Sequence, residues 1–426
     1  MLMNKPQKGM IDDFPADMKK YNFIKSKIDE VARLFSYAEY DAPVLEPVEL
    51  YASKSSDELV KEQSYLFTDR GGRNLMLRPE MTPSLARMVS QIIKEKPKPF
   101  KWYACPKCYR YERPQKGRLR EFRQLNFDCI GDSTVYADFE MLQTVISVLN
   151  TFKVPRHTYE IRYNHRGLMQ EICLAAGMPA TALGALFQLV DKKNKIPPDD
   201  FQSALSGLCG NNTAQINALL SARSPSDVRS LIPNQQNTRL DETIKKFFEF
   251  TELLGSTECA QNTVFSPETV RGLDYYTGLV FEVYDTRGSI GRALFGGGRY
   301  DNLISHFSSE SVSGIGFGMG IYIFSIFLEE LNVMPSFKDG PDTEAVFIIP
   351  VAIQNTAFCF TAAEKLRKNA IPAEVSAQIL PLKKQFTKAT QRGFTYAAVI
   401  GDTEMQSGQI KIKNLTDGSE VMRKLT

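Results

Sequence analysis

The sequence has few of the features that mark a specialised class of protein. Its 426 residues include three histidines and one tryptophan, and the formal net charge is only +3. A nearly neutral chain has no global field for polyanions, so any phosphate or nucleic-acid site must be a local basic patch. The longest apolar run, residues 314–328, is shorter than the roughly 20 residues that span a bilayer. We therefore expect no membrane association.

The cysteines predict a reducing compartment. There are seven, an odd number scattered along the chain, and residues 1–15 contain no apolar segment typical of a secretory signal. We therefore expect a cytoplasmic protein. Cys105 and Cys108 have the spacing of a zinc ligand pair, but a structural zinc site takes four ligands and the sequence has no second such pair. We expect buried free thiols there.

The most strongly patterned stretch is residues 100–131, where six basic and two acidic residues fall between Arg110 and Arg123. Aromatic and β-branched residues on either side of the Pro-Gln-Lys-Gly segment at 114–117 predict two strands joined by a loop. Guanidinium groups bind phosphate oxygens bidentately, and a ring such as Phe122 offers a face to a purine. A solvated basic hairpin is the plainer alternative. The pattern favours a site for polyphosphate or nucleic acid.

A second candidate site lies in residues 64–88. A hairpin signal at 69–72 is followed by Thr82 and Pro83, which predict the start of a helix. A carboxylate and a hydroxyl at such a junction, here Glu80 and Thr82, can bind a cation such as an α-amino group. The alternative is that Glu80 is an ordinary surface charge or helix cap.

Residues 270–301 contain a third candidate site. Arg271 precedes a tight glycine turn and the pair Tyr275 and Tyr276, a pattern that can place a cation against a carboxylate or phosphate and hydroxyls against a polar ring. The alternative is a hairpin entry with core tyrosines. The glycines of residues 296–298 allow close approach of a ligand to the backbone. Glycines alternate again along 314–320, which leaves one face of that strand bare.

Residue composition and hydrophobic pattern divide the rest of the chain into further segments. Apolar residues at helical spacing predict a helix over 24–35, followed by an extended segment at 39–45. Residues 167–255 are rich in short helical patterns and predict a small helical insertion. Residues 334–343 are a polar linker containing Pro and Gly. Beyond it, alternating strands and helices predict a small α/β domain with a largely parallel sheet.

These motifs together resemble the class II aminoacyl-tRNA synthetases, and specifically the histidyl-tRNA synthetase family. Residues 110–122 are similar to motif 2, residues 124–128 to its histidyl-specific continuation, and residues 271–278, RGLDYYTG, to a signature of that family. Residues 78–82 resemble its amino-acid-binding signature, and FGGGRYD at 295–301 resembles a segment that lines the histidine pocket. Together the matches cover nearly the whole chain.

The resemblance implies an α+β fold with three parts. Residues 1–333 form the catalytic core, an antiparallel sheet flanked by helices, with the helical insertion at about 167–255. Within it, motif 1 lies around 21–47, motif 2 around 100–131 and motif 3 around 312–330. Residues 334–343 are the linker, and residues 344–426 form an α/β anticodon-binding domain. Motif 1 builds the dimer interface in this class, so a homodimer is expected.

The resemblance also implies the reaction and its residues. The protein would activate L-histidine with ATP and Mg²⁺ to histidyl-adenylate and transfer it to the 3' end of tRNA-His. Arg110 and Arg271 would be catalytic, and no protein ligand of a metal is implied with certainty. The residues implied in ATP binding are Arg110, Glu112, Arg113, Phe122, Gly318 and Gly320. The residues implied in histidine binding are Glu80, Met81, Thr82, Arg110, Gln124, Asp128, Arg271, Tyr275 and Tyr276.

One departure from the family pattern supports a rival hypothesis. After Gly320 and Ile321 the family has Glu-Arg, and this chain has Tyr322 and Ile323. The motif 3 arginine, which contacts the ATP phosphates in the family, is absent, although a one-residue deletion before Ile323 fits equally well. The rival is a weakened or inactive relative, such as the regulatory subunit of ATP phosphoribosyltransferase or a sensor of uncharged tRNA. The signature at 271–278 and the C-terminal domain disfavour the regulatory subunit, which characteristically lacks that domain.

Overall fold

The computed structural model describes residues 4–52, 60, 62–232, 238–271, 275–308, 310–341 and 344–425. Within these ranges the chain divides into two compact units. The first unit comprises Met1–Ile11 and Phe23–Pro335, and the second comprises Asp12–Asn22 and Ser336–Thr426. None of the described helices is both long and apolar enough to cross a bilayer.

The first unit is organised on a nine-stranded sheet in which antiparallel pairs predominate. Its strands follow the order β1-β5-β7-β12-β11-β10-β8-β9, and β6 pairs with β7 outside that path. Only the two edge pairs, β1 with β5 and β8 with β9, are parallel. The strands are β1 (Ala38–Glu39), β5 (Phe100–Ala104), β6 (Lys107–Tyr109), β7 (Glu121–Ile130), β8 (Tyr159–His165), β9 (Thr263–Phe265), β10 (Leu279–Asp285), β11 (Phe295–Tyr300) and β12 (Gly314–Gly320).

The two faces of this sheet differ because side chains alternate along each strand. On one face Phe127 of β7 stacks on Tyr103 and on Phe317, with ring centroids 5.4 Å and 5.3 Å apart. These rings form part of the core. The residues that alternate with them on β7 and β12, such as Asp128 and Gly316, point to the opposite face. That second face carries the candidate site.

A smaller three-stranded antiparallel sheet lies beside the helix that follows it in the chain. Its order is β2-β4-β3, and its strands are β2 (Leu45–Pro47), β3 (Leu66–Thr68) and β4 (Asn74–Leu77). The expected extended segment at 39–45 is therefore split, with a strand at each end and none between. Helices of this part of the fold are α1 (Pro15–Leu34), α2 (Val48–Ala52) and α3 (Thr82–Ile92).

Helices flank the main sheet and form the insertion. Helix α4 (Val135–Thr151) buries apolar side chains along most of its length, and α11 (Ile321–Glu330) follows β12 directly. The helices between β8 and β9 are α5 (Arg166–Ala175), α6 (Ala180–Asp191), α7 (Pro198–Cys209), α8 (Thr213–Leu220), α9 (Pro225–Ser230) and α10 (Thr238–Gly255). Two of them begin with proline, which is tolerated in the first helical turn.

The second unit contains a five-stranded sheet in the order β14-β13-β15-β16-β17. Strands β14, β13 and β15 are parallel, while β16 and β17 are antiparallel, so the sheet is parallel on one side only. The elements are β13 (Val346–Pro350), α12 (Thr356–Lys368), β14 (Ala373–Val375), α13 (Leu382–Gln391), β15 (Tyr396–Ile400), α14 (Asp402–Ser407), β16 (Gln409–Asn414) and β17 (Glu420–Lys424). Sheets with flanking helices in both units confirm the predicted α+β class.

The N-terminal segment Asp12–Asn22 also belongs to the second unit. The backbone amide of Ala16 donates to Oδ1 of Asp339 at 2.9 Å, and Nζ of Lys19 donates to the carbonyl oxygen of Gly340 at 2.8 Å. The boundary expected from the sequence placed residues 12–22 in the first domain. These contacts are 321 to 323 positions apart in the chain, so no local pattern indicates them.

Candidate active site

Glycines of two neighbouring strands form the floor of the site. A Cβ added to Gly316 would overlap Oδ1 of Asp128, and one added to Gly318 would lie 2.9 Å from Nε2 of Gln124. The same holds on β11, where a Cβ at Gly296 would lie 2.8 Å from Nη1 of Arg271, and one at Gly298 would lie 2.9 Å from Cδ1 of Tyr276. Each glycine thus leaves room for a side chain of the predicted site.

Asp128 is a buried carboxylate at the base of the site. Its Oδ1 accepts a hydrogen bond from the hydroxyl of Tyr300 at 2.5 Å, and its Oδ2 has no hydrogen-bond partner among the described residues. Burial raises the pKa of Asp128 to about 7, against the lowering effect of the Tyr300 hydrogen bond. The orphaned oxygen is buried and Asp128 lines a cavity, so this residue suits a cationic donor from a ligand.

Glu80 supplies a second carboxylate just before helix α3. Its Oε2 accepts a hydrogen bond from the Tyr275 hydroxyl at 3.2 Å, and its backbone carbonyl accepts one from the Tyr51 hydroxyl at 3.0 Å. Glu80 is only 2% exposed. Burial, with the nearby carboxylate of Glu80, raises the pKa of Tyr275 well above its ordinary value, so that phenol remains a donor.

Arg271 brings a guanidinium group to the same cavity from a strained backbone position. Its φ is 60°, in the left-handed region that non-glycine residues seldom adopt. Nη1 donates to Oε1 of Glu282 at 3.0 Å, and Nη2 donates to the carbonyl of Gly296 at 3.3 Å. Nε has no partner among the described residues. The next three residues of the RGLDYYTG motif, 272–274, lie outside the described part of the chain.

These side chains line a cavity of about 560 Å³. Most of the residues predicted for histidine binding border it, and three residues of the insertion join them from the end of α6 onward. The predicted residues that line it are Glu80, Thr82, Arg110, Gln124, Asp128, Arg271, Tyr275 and Tyr276. The insertion contributes Asp191, Lys192 and Lys195. Carboxylates and arginines thus line one space of the size of a small-molecule site.

A second, smaller cavity adjoins the first. The Arg110 guanidinium lies 5.4 Å from the centre of the Phe122 ring, and its Nε donates to the carbonyl of Pro79 at 2.9 Å. Arg118 forms an ion pair with Glu112 at 2.9 Å. The residues that line this cavity are Arg110, Glu112, Gly117, Arg118, Leu119, Phe122, Arg292, Ala293, Leu294, Gly320, Tyr322 and Ile323. Arg110, Glu112 and Arg118 also line the first cavity, so the two are contiguous.

Two predicted residues lie apart from both cavities. Arg113 is exposed on the loop between β6 and β7 and lines neither of them. Met81 is fully buried, with its sulfur 3.7 Å from Nη1 of Arg78, and it lies behind the site. The sequence in turn gave no role to Arg292. It assigned Tyr300 only to a pocket-lining segment, although this residue holds Asp128 directly.

Known protein families match both parts of this chain. The chain matches the family described as histidyl-tRNA synthetase over residues 9–322 and an anticodon-binding domain over residues 345–426. It is 35% identical to a histidine–tRNA ligase of Leptospira biflexa, over 97% of this chain and 93% of the relative. It is 34% identical to the chloroplastic/mitochondrial histidine–tRNA ligase of Arabidopsis thaliana, over 99% of this chain and 85% of the relative.

The fold is shared with a solved histidyl-tRNA synthetase from Nostoc sp. PCC 7120, at a TM-score of 0.81 and 18% identity, covering 100% of this chain and 97% of that one. This likeness supports the class II synthetase fold. The matched family covers most of the chain, and relatives above 30% identity extend over nearly its whole length. The chain therefore belongs to the histidyl-tRNA synthetase family of aminoacyl-tRNA ligases.

Proposed function

We propose that this chain activates L-histidine with ATP to histidyl-adenylate and transfers the histidyl group to the 3' end of tRNA-His. The observation that supports this most directly is the contiguity of the two cavities. One presents the carboxylates of Glu80 and Asp128, and the other presents arginines beside the ring of Phe122. Arg110 lies on the wall that they share, where an amino-acid carboxylate and a nucleotide phosphate would meet.

The first cavity suits an amino acid with a polar ring. The carboxylates of Glu80 and Asp128 would bind the α-ammonium group, because buried carboxylates form strong charge-assisted hydrogen bonds with cations. Gln124 and Thr82 line the same space and add polar groups. Tyr275 and Tyr276, with ring centroids 4.8 Å apart, would shape the pocket for the imidazole.

The second cavity suits ATP. Phe122 would stack on the adenine, Gly320 leaves space beside it while Gly318 lines the first cavity, and Arg110 would bind phosphate oxygens. An oxygen of the histidine carboxylate attacks the α-phosphorus, the bond to the β-phosphate oxygen breaks, and pyrophosphate leaves. Arg110 and Arg271 would stabilise the negative charge that develops during this displacement, which is mainly a positioning and electrostatic role.

Magnesium fits this site through the phosphates. Mg²⁺ is commonly held by one or two carboxylates together with substrate phosphates. No cluster of three potential ligands occurs among the residues that the structure describes, and Glu112 is the carboxylate that lines the second cavity. Glu112 would therefore be the protein group that binds a phosphate-bound Mg²⁺, which would supply positive charge against the leaving pyrophosphate.

The second unit and one surface of the first support the proposed partners. Residues 345–426 match an anticodon-binding domain, and Lys383 and Lys384 on α13 are exposed and available to phosphates. For the homodimer, Leu45, Leu66 and Phe67 of the three-stranded sheet are exposed apolar residues, of the kind that a second copy would cover. Since the substrates are those of translation, we propose the cytoplasm as the compartment.

The rival hypothesis, an inactive relative, is favoured by the absence of a motif 3 arginine at residues 322–323. A histidine-dependent exchange of pyrophosphate into ATP, followed by aminoacylation of tRNA-His, separates the two. We expect both activities. Binding of histidine and ATP without exchange would favour the inactive relative, and exchange stimulated by another amino acid but not by histidine would contradict the proposed specificity.

A further inference from the structure

The helix that follows β12 brings no cation to the ATP cavity. Its first residues include Tyr322, which is half-buried, and Ile323, which is 7% exposed, and both line that cavity. The whole of α11 (Ile321–Glu330) contains no basic residue. The wall that this helix forms is therefore apolar and neutral at the position where the sequence comparison expects an arginine.

Arg292 reaches the same place from another element. It lies in the connection between β10 and β11, and its Nη2 donates to the carbonyl of Gly117 and, at 3.5 Å, to that of Lys116. A Cβ added to Gly117 would lie 2.8 Å from Nη2 of Arg292 and 3.2 Å from Cγ1 of Ile323. The guanidinium thus occupies the corner between the motif 2 loop and the start of α11.

The charges around Arg292 leave it available to an anion. Its hydrogen bonds go to backbone carbonyls, and no carboxylate forms an ion pair with it within the described ranges. Glu112, the carboxylate that lines this cavity, is already paired with Arg118 at 2.9 Å. Burial and the neighbouring Arg118 lower the pKa of Arg292, against an opposing effect of Glu112. A phosphate group in this corner would supply a negative charge to pair with Arg292.

We propose that Arg292 binds the terminal phosphates of ATP and takes the place of the motif 3 arginine. This inference rests on the proposed binding of ATP in this cavity. It also explains how a chain with Tyr322 and Ile323 can retain the family's reaction, because the cation arrives on the β10–β11 connection and not on α11. Guanidinium groups bind phosphates bidentately, so a lysine at 292 would replace only part of the interaction.

The test is calorimetric titration of the full-length protein with ATP, AMP and histidine separately. We expect Arg292→Ala to weaken ATP binding by about 10- to 100-fold and AMP binding by less than about threefold, and to leave histidine affinity unchanged. Arg292→Lys should fall between wild type and Arg292→Ala. Unchanged ATP affinity in Arg292→Ala would overturn the proposal. A loss of AMP affinity as large as the loss of ATP affinity would also overturn it, because it would indicate that Arg292 contacts the part of the nucleotide that AMP and ATP share.

Arg287→Ala is the matched control. Arg287 lies in the same connection, but its Nε donates to Oδ1 of Asp285 at 2.8 Å and it lines neither cavity. We expect ATP affinity within about threefold of wild type. A loss as large as that of Arg292→Ala would show that the whole connection matters and would contradict a specific role for Arg292.

A rescue experiment tests the equivalence of the two positions. In the Arg292→Ala background, Ile323→Arg should recover part of the lost ATP affinity, because residue 323 borders the same corner. Retained histidine binding in each variant shows that the site is folded. If the double variant still binds histidine but recovers no ATP affinity, positions 292 and 323 are not equivalent. These titrations need no turnover, so a failure of histidine activation in the wild type would refute the proposed function while the assignment of Arg292 could still be decided.

Discussion

The hydroxyl of Tyr300 donates a 2.5 Å hydrogen bond to Oδ1 of Asp128, although the two residues are 172 positions apart in the chain. This bond holds one oxygen of a carboxylate whose residue lines the first cavity, and the other oxygen has no hydrogen-bond partner among the described residues. A buried carboxylate held in this way is destabilising in the absence of a ligand. The site is therefore prepared for a cation at a cost in folding free energy.

Asp128→Asn should stabilise the ligand-free protein. The folded pKa of about 7 lies above the ordinary value of about 4, so stability is lost as pH rises through this interval and is constant above it. The gain in free energy of unfolding, variant minus wild type, should grow between about pH 4 and about pH 7 and reach on the order of 2–4 kcal/mol. Urea denaturation at several pH values measures it, and histidine affinity should fall.

Asp138→Asn serves as the comparison. Asp138 is also buried, but its Oδ1 accepts a 2.7 Å hydrogen bond from Nε of Arg299, so its substitution leaves this buried guanidinium with only the more distant carboxylate of Asp301, at 3.7 Å. We expect a loss of roughly 3–5 kcal/mol. Equal effects of the two substitutions would show that Asp128 is not held in an unfavourable state.

Arg110→Ala should slow adenylate formation. If Arg110 holds both the reacting carboxylate and the α-phosphate, its loss should remove on the order of 3 kcal/mol of transition-state stabilisation, or more than ~100-fold in rate. The measurement is histidine-dependent pyrophosphate exchange. Arg73→Ala, which removes an exposed arginine paired with Asp69, should leave the rate unchanged. An unaltered rate in Arg110→Ala would remove this residue from the site.

Gly316→Ala should disrupt the floor of the site. The added methyl group would overlap Oδ1 of Asp128 and lie 2.5 Å from the carbonyl of Phe127, and overpacking of this kind costs about 1–3 kcal/mol. Histidine binding should weaken because Asp128 is displaced. Gly184→Ala in helix α6 meets open space and should be neutral or stabilising by up to ~1 kcal/mol. Chemical denaturation compares the two, and a tolerated Gly316→Ala would contradict the close approach.

The proposed homodimer is tested by sedimentation. We expect a dimer at micromolar concentration, and we expect Leu66→Glu, on the exposed three-stranded sheet, to shift the distribution toward monomer. Val421→Glu places the same charge on an exposed strand of the second unit, and it should not shift the distribution toward monomer. A wild-type protein that sediments only as a monomer would count against the proposal.

The sequence indicated the local parts of the site better than its connections. Alternating glycines predicted that β12 would have a bare face, because the side-chain period of a strand is two. Glu80 and Thr82 were identified from a helix start, which is also a local pattern. Glu80 and Thr82 share a cavity with Asp128 because of the order of the strands in the sheet. That order could be expected from the family resemblance but not from the composition.

Arg292 shows why the remainder was not predictable. It stands in a connection with no motif of its own, and its importance depends on Gly117, 175 positions earlier, and on Ile323 in the following helix. A missing arginine is visible in the sequence at residues 322–323. A compensating one is visible only when tertiary structure brings three separate segments to the same corner.

If histidine and ATP bind as proposed, the wall shared by the two cavities makes them thermodynamically linked ligands. Arg110, Glu112 and Arg118 border both spaces, so an anion in one changes the electrostatic potential felt in the other. By reciprocity, whatever factor ATP imposes on histidine affinity, histidine must impose on ATP affinity. The order in which the substrates arrive is then immaterial to the free energy of the ternary complex, and a substitution in this wall alters a coupling energy and not one affinity alone.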